Sequence, residues 1–345
     1  MPLLEPIPLT VVAGGAELSS LSTRLLGRRP DLALVAPADV PGVTTSMLPL
    51  GPAGRADRLV SRLVPVVPDV GDRSPGCPCC RLRLDLVDAV AVLARRRSRP
   101  AHILVAVPHR PDDLAGSSVT TVAHTVLSDP DLRRWVRLDG VLATLDAVPA
   151  ITRLRTGSTV LDELAVERLA IADRVLLARA DQIDAAALGE LRLVVRRLNR
   201  IAEVLAPAVD GVAVGQLLGI DAWHGAPTVA PGAPVDGPAA GARVVGAPDV
   251  VVIEQHGVLD PGGVEEWLAE VLARHAPRLH RLQGALAVDG EPTRVCCHGV
   301  GSYAMSHPED EHRSGRRSTS SLMVLIGRDL PADELTAGLR ATAVR

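Results

Sequence analysis

Through residues 9–199, short runs of aliphatic and β-branched residues alternate with amphipathic stretches. A mainly parallel sheet covered by helices imposes that alternation on a sequence, so the expected fold of this half is α/β. Strands are expected at Leu9–Ala13, Leu32–Ala36, His102–Val107, Leu138–Leu145 and Arg174–Ala178, and helices at Ser19–Leu26, Asp85–Arg95 and Ala185–Asn199. In the last of these, Leu188, Leu191, Val194, Val195 and Leu198 fall at helical spacing and make one apolar stripe.

Residues 206–247 turn rich in Pro, Gly and Ala and lose all sustained periodicity, as a linker region does. From Val250 a second pattern begins: a strand at VVIEQ, a helix at Val264–His275, strands at Leu279–Val288 and Thr293–Ser302 around an Asp289-Gly290 turn, a polar insert, a strand at Leu322–Gly327 and a helix at Asp333–Leu339. The expected organisation is therefore an α/β domain over residues 1–205, a linker over 206–247 and a small α+β domain over 248–345.

At 345 residues with 47% hydrophobic and 22% charged content, the chain is long enough for two domains with real cores. All 37 basic residues are Arg, so any chemistry that requires a lysine is excluded. The net charge of −3 argues against wrapping of DNA, although Arg95–Arg97 and Arg313–Arg317 are local basic clusters. No apolar run is long enough to span a membrane and the N-terminus lacks a secretory pattern, which places the expected location in the cytoplasm.

Cys77-Pro78-Cys79-Cys80 puts three thiols in four residues. Such neighbours pair poorly with one another and suit a soft metal, with zinc the expected ion and a fourth ligand still to be supplied. Buried or solvent thiols without metal are the alternative. Clustering of the five cysteines also fits a reducing compartment better than a disulfide framework.

The stretch GCPCC followed by RLRLDL resembles the Cys-x-Cys-Cys signature of the CobW family, metal-linked GTP-binding proteins of the P-loop type. Three C-terminal stretches, RLHRLQGALAVDGEP, RVCCHGVGSY and SSLMVLIGRDL, resemble the family's C-terminal domain in the same order. Residues 137–146 and 172–181 are similar to its strand before a V-D-A turn and to its base-recognition strand. The resemblance implies a P-loop NTPase-like, mainly parallel sheet with helices on both faces, plus a small α+β CobW C-terminal domain. It also implies zinc and GTP as ligands, and Asp72 as an additional acidic metal ligand.

At the phosphate site the chain departs from that pattern. A P-loop uses backbone amides to cradle phosphates, a Lys to neutralise them and a Ser or Thr to hold magnesium. Here the segment runs Gly14-Gly15-Ala16-Glu17-Leu18-Ser19-Ser20. Aligning Ser19 and Ser20 with the hydroxyl positions puts Leu18 at the lysine and Glu17 at the preceding glycine. After HILVAV the expected Glu and Gly are replaced by Pro108 and His109, and the Asn-Lys-x-Asp motif reads Ala178-Arg179-Ala180-Asp181. Only Asp181 is left to meet a guanine edge. Gly14, Gly15, Ser19, Ser20 and Asp181 are thus the candidate nucleotide residues, and little or no GTP hydrolysis is expected. Helix capping by Ser19 or Ser20, and turn capping by Asp181, are the alternative readings.

Cys296 and His298 alternate along a strand and share a face, either filling core space or forming a second metal site. The insert Ser306–Arg317, with His307 and His312, reads as a solvated loop or a metal buffer. His102, His109 and His124 read as ordinary strand-end and helix residues. Two functions follow. The first is a zinc-linked, non-hydrolytic binding adaptor, similar to the actinobacterial CobW-like proteins that recruit a hibernation factor to the small ribosomal subunit under zinc starvation. The second is a GTP-binding zinc metallochaperone that delivers metal to client proteins.

Overall fold

The computed structural model describes residues 5–37, 60–63, 78–108, 119–158, 161–206, 213–227, 244, 246–309 and 319–344. The chain divides into two compact units, the first made of residues 1–152, 172–188 and 204–220, the second of residues 153–171, 189–203 and 221–345.

In the first unit the order is β1 (Ile7–Gly14), α1 (Glu17–Arg28), β2 (Leu32–Pro37), β3 (Val60–Leu63), α2 (Pro78–Ala94), β4 (His102–Pro108), α3 (Val119–Ser128) and β5 (Val136–Asp146). Next in the chain come α4 (Ala147–Arg155), α5 (Glu163–Ile171), β6 (Arg174–Ala178), α6 (Ala185–Leu198) and β7 (Glu203–Leu205), of which α5 and the later part of α6 belong to the second unit. The strand order is β3-β2-β4-β1-β5-β6-β7, and β1 to β6 pair in parallel. Leu9, Val11, Val12 and Ala13 of β1 and Ile103 to Val107 of β4 are all buried. Side chains of both parities are inside, so helices cover both faces, and the strands read as continuous apolar runs rather than alternating ones.

One buried polar network ties this sheet to the chain beyond β7. Thr10, His102 and Asp139 come from β1, β4 and β5 and are almost fully buried. The Thr10 hydroxyl donates to Asp139 Oδ2 at 3.1 Å, so at 2.8 Å it must accept from His102 Nε2–H. The same Asp139 oxygen accepts the backbone N–H groups of Gly219 and Ile220 at 2.8 and 3.3 Å. Within the stretch expected as linker, Leu217 and Leu218 join the core of Leu21, Leu25 and Leu142. Ile220 lies so close over Gly140 that a β-carbon there would meet its Cδ1 at 2.5 Å.

The second unit holds β8 (Asp249–His256), α7 (Pro261–His275), β9 (Leu279–Leu286), β10 (Val295–Val300), β11 (Tyr303–Pro308), β12 (Ser320–Gly327) and α8 (Ala332–Ala341). Its five strands are antiparallel in the order β11-β10-β9-β12-β8. Val251, Ile253, Leu282, Met323 and Leu325 on one face pack with Val264, Trp267 and Val271 of α7 and Leu335 and Leu339 of α8. Asp260 caps α7 by accepting Gly263 N–H at 2.7 Å, with Pro261 in the first turn where no amide is missed. On the opposite face Val324 and Ile326 pack on Ala170 of α5, with Ile201, Val250 and Val252 around them. The chain's single asparagine, Asn199, is fully buried. Its amide donates to Leu169 O and Ala170 O at 2.8 and 3.0 Å, and its carbonyl accepts from Ile201 and Ala202, closing the ends of α5 and α6 together.

β11 corrects the expectation of a loop for Ser306, His307 and Pro308, the part of the expected insert that it contains. The strand expected at Thr293–Ser302 ends at Val300, and a two-residue turn at Gly301-Ser302 leads straight into a paired partner. Arg294 and Glu309 close the far end of that hairpin with two hydrogen bonds of 2.8 Å.

Candidate functional site

β1 ends at Gly14 and α1 begins at Glu17, so Gly15 and Ala16 form the turn between them. The Glu17 carboxylate folds back over this turn. Its Oε1 accepts the Gly15 N–H at 3.0 Å and the Thr144 hydroxyl of β5 at 2.6 Å. Gly14 is pressed against the same threonine, where a β-carbon would collide with Thr144 Oγ1. An amide turn at a helix N-terminus attracts anions; in this chain the anion it holds is a side chain. Leu18, at the position where a P-loop carries lysine, is 1% exposed and belongs to the core with Leu21 and Leu25.

Ser19 and Ser20 lie inside the first turns of α1, and the cap position is Ala16, which has no side-chain cap. The expectation that a serine caps the helix is corrected: the helix starts two residues early because Glu17 satisfies the turn. Asp181 is exposed in a short 3-10 turn, Ala180–Gln182, after β6. It caps nothing there. Asp184 caps α6 instead, accepting Ala187 N–H at 2.7 Å.

The residue at the lysine position of the base-recognition motif is a cation whose partner the sequence does not reveal. Arg179, in the left-handed backbone region at φ 56°, donates to Asp146 through Nε and Nη2. Asp146 also accepts Val148 N–H at 3.2 Å and so caps α4. The Asp146 hydrogen bond raises the already high pKa of Arg179, and the Glu17 carboxylate adds to that shift. Glu17, Thr144, Asp146 and Arg179 thus occupy the ends of β1, β5 and β6, where two carboxylates and one guanidinium are all engaged in hydrogen bonds within the chain.

Pro78 opens α2, which puts Cys79 and Cys80 in its first turn. Cys77, Asp72, His109, His312 and Arg313–Arg317 lie outside the described residues, as do the side chains of Cys79 and Cys80. Among the described residues no three His, Cys, Asp or Glu donors converge to hold a metal ion.

In the second unit, Cys296 and Cys297 are both buried, and burial pushes the Cys297 thiol up to about 12. Cys296 faces His307 across the β10–β11 pair, and His298 is two residues along on the same face. His298 and His307 stack with ring centroids 5.4 Å apart, His224 lies 5.6 Å from His307, and Trp223 covers His298 at 5.8 Å. Arg281 sits over the same Trp ring, 4.9 Å from its centroid, and donates to Gln283 and to Ile171 O at the end of α5. Burial first, then Arg281, His307 and His224, hold His298 well below the usual imidazole pKa and therefore neutral.

A family model described as "CobW/HypB/UreG, nucleotide-binding domain" matches residues 69–206, and one described as "Cobalamin synthesis protein cobW C-terminal domain" matches residues 249–343. Together they span most of the chain. The chain belongs to the CobW family. CobW-family relatives include a protein named "Zinc chaperone CobW" from Sinorhizobium sp, 26% identical over 79% of this chain and 80% of the relative. Another is "Zinc chaperone YjiA" from Escherichia coli strain K12, 27% identical over 79% of this chain and 84% of its own length. The solved structure described as Zn(II)-bound YjiA GTPase from E. coli matches 99% of this chain and all of its own, with a TM-score of 0.70 at 22% identity. That likeness shows a shared CobW-type fold: a parallel, helix-covered, P-loop NTPase-like sheet followed by a small domain with an antiparallel sheet. Among the described residues, no helix is long and apolar enough to cross a membrane.

Proposed function

We propose that this protein is a cytoplasmic zinc carrier that delivers the ion as cargo to a client protein and that works without a GTP hydrolysis cycle. The observation that carries the reading is the Cys77-Pro78-Cys79-Cys80 cluster at the opening of α2. Exposed amides and the partial positive charge of a helix N-terminus favour thiolate over thiol, and thiolate is the form that binds zinc. Three thiolates leave a coordination position open, as a carrier that must hand its ion on requires. The relatives are named zinc chaperones, which supports carriage over the ribosome recruitment expected first.

The residues at the ends of β1, β5 and β6 do not fit a triphosphate. Glu17 fills the amide turn, Leu18 is in the core and Arg179 is engaged by Asp146. At a separation of about 4 Å and an effective dielectric near 20, a carboxylate repels each further negative charge by about 4 kcal/mol. No residue of this set supplies the lysine charge that phosphoryl transfer depends on. The Glu17 carboxylate instead keeps the turn closed by accepting the bonds that a phosphate would take.

Competition against a chromophoric zinc chelator under reducing conditions tests the carriage reading, with the Cys77→Ser/Cys79→Ser/Cys80→Ser variant alongside. Tight one-to-one binding that disappears in the variant is expected. Binding that survives all three substitutions would overturn the assignment. GTP incubated with the purified protein is expected to turn over no faster than in buffer, and a rate that Asp181→Ala lowers would defeat the non-hydrolytic part.

A further inference from the structure

Four arginines crowd five residues after α2: Arg95, Arg96, Arg97 and Arg99. Arg95 lies over the Trp135 ring, 5.5 Å from its centroid. The other three line a recess of about 360 Å³ between the α2–β4 turn and the segment entering β2, with Leu32 and Leu93 among its apolar lining. Asp31 also borders it, but Arg29 already holds that carboxylate through two hydrogen bonds of 2.7 and 2.6 Å. Arg29 keeps the Asp31 carboxyl below its usual range, so it stays ionised and paired.

Among the described residues, no carboxylate pairs with Arg96, Arg97 or Arg99. Arg99 reaches only the carbonyl of Glu5, at 3.4 Å, while its Nε is buried with no acceptor. Compensation of the helix end does not account for this group, because a helix C-terminus carries about half a negative charge against three positive ones. The recess lies where β2 and β4 begin, and the Glu17 turn lies where β1 ends. In a parallel sheet those are opposite ends of the strands, so the two places are separate.

We propose that this recess binds a compact ligand bearing two linked phosphate groups through Arg96, Arg97 and Arg99. Guanidinium forks match phosphate oxygens with paired hydrogen bonds. Each phosphate group carries about −1.5 to −2 near neutral pH, so a diphosphate brings roughly the charge that three arginines balance. The volume sits at the low end of the roughly 300–1,000 Å³ typical of small-molecule sites, which favours a short ligand over an extended one.

Calorimetric titration of the full chain with inorganic pyrophosphate at low salt tests this. Binding is expected, weakened by about tenfold or more in Arg96→Gln/Arg97→Gln/Arg99→Gln and unchanged in Glu17→Gln. If the triple variant melts early, the exposed single change Arg97→Gln is expected to weaken binding by about threefold with no change in melting. No heat at about 1 mM pyrophosphate, full binding by the variants, or tighter binding in Glu17→Gln alone would each overturn the site. Equal affinity for citrate would overturn the choice of phosphate over carboxylate.

Discussion

Thr144 donates its hydroxyl proton to Glu17 Oε1 at 2.6 Å, and the same oxygen accepts the Gly15 amide. A hydrogen bond to a charged acceptor contributes about 1.5–3 kcal/mol when buried, and solvent at this half-buried site reduces that to about 1–2. Glu17→Ala and Thr144→Val are each expected to lower stability by that amount in urea titrations. Because both remove one bond, their effects are expected to fall short of additive by about 1 kcal/mol. Strict additivity would show that the pair is not formed in solution.

Asp139 is fully buried and accepts three hydrogen bonds, from Thr10, Gly219 and Ile220. Asp139→Ala strands all three donors and is expected to cost about 3–5 kcal/mol, read as a fall in the denaturation midpoint. Proteolysis near residues 213–220 is expected to speed up in the same variant. A stable, protease-resistant Asp139→Ala protein would contradict the network.

Gly140→Ala places a methyl against Ile220 Cδ1, and overpacking of this kind costs about 1–3 kcal/mol. Adding Ile220→Val to Gly140→Ala is expected to recover part of that loss. If Gly140→Ala is neutral by thermal melting, residue 220 does not rest on β5.

Acid is expected to destabilise the protein before its carboxylates titrate. Burial, with Arg29 and Arg137 assisting, lowers the His102 pKa from 6.5 to about 4 against the opposing pull of Asp139 and Asp31, and His298 is lowered as well. A histidine that resists protonation when folded contributes its full stability above the unfolded pKa of about 6.5 and loses it as pH falls from there towards 4. His102 alone is expected to remove on the order of 2 kcal/mol by about pH 5. Denaturation midpoints at neutral and acid pH, compared between the native chain and His102→Gln, measure this; equal slopes in the two would refute it.

The alternation of apolar runs and helical stripes revealed the sheet strands because parallel strands buried on both faces leave an unbroken aliphatic signature, as at Leu9–Ala13 and Ile103–Val107. β11 was hidden because its edge strand, YAMSHP, is half exposed and mixes polar residues that look like a loop. Residues 217–223 look like linker in the sequence because their order depends on a distant partner, Asp139, 80 residues before Gly219. At the site, the sequence showed that Glu17 replaces a glycine, and the structure adds where its carboxylate goes. Arg179 is named in the sequence only as the residue at the motif's lysine position, because only the fold brings it to Asp146, 33 residues earlier.

Cys296 and Cys297 are sealed inside β10, and the Cys297 thiol ionises only near 12. An alkylating reagent added to the native protein is therefore blind to two of its five cysteines, and every adduct it leaves belongs to Cys77, Cys79 or Cys80. Intact mass spectrometry with and without zinc then becomes a direct counter of occupied thiolates, with the β10 pair as a built-in silent background.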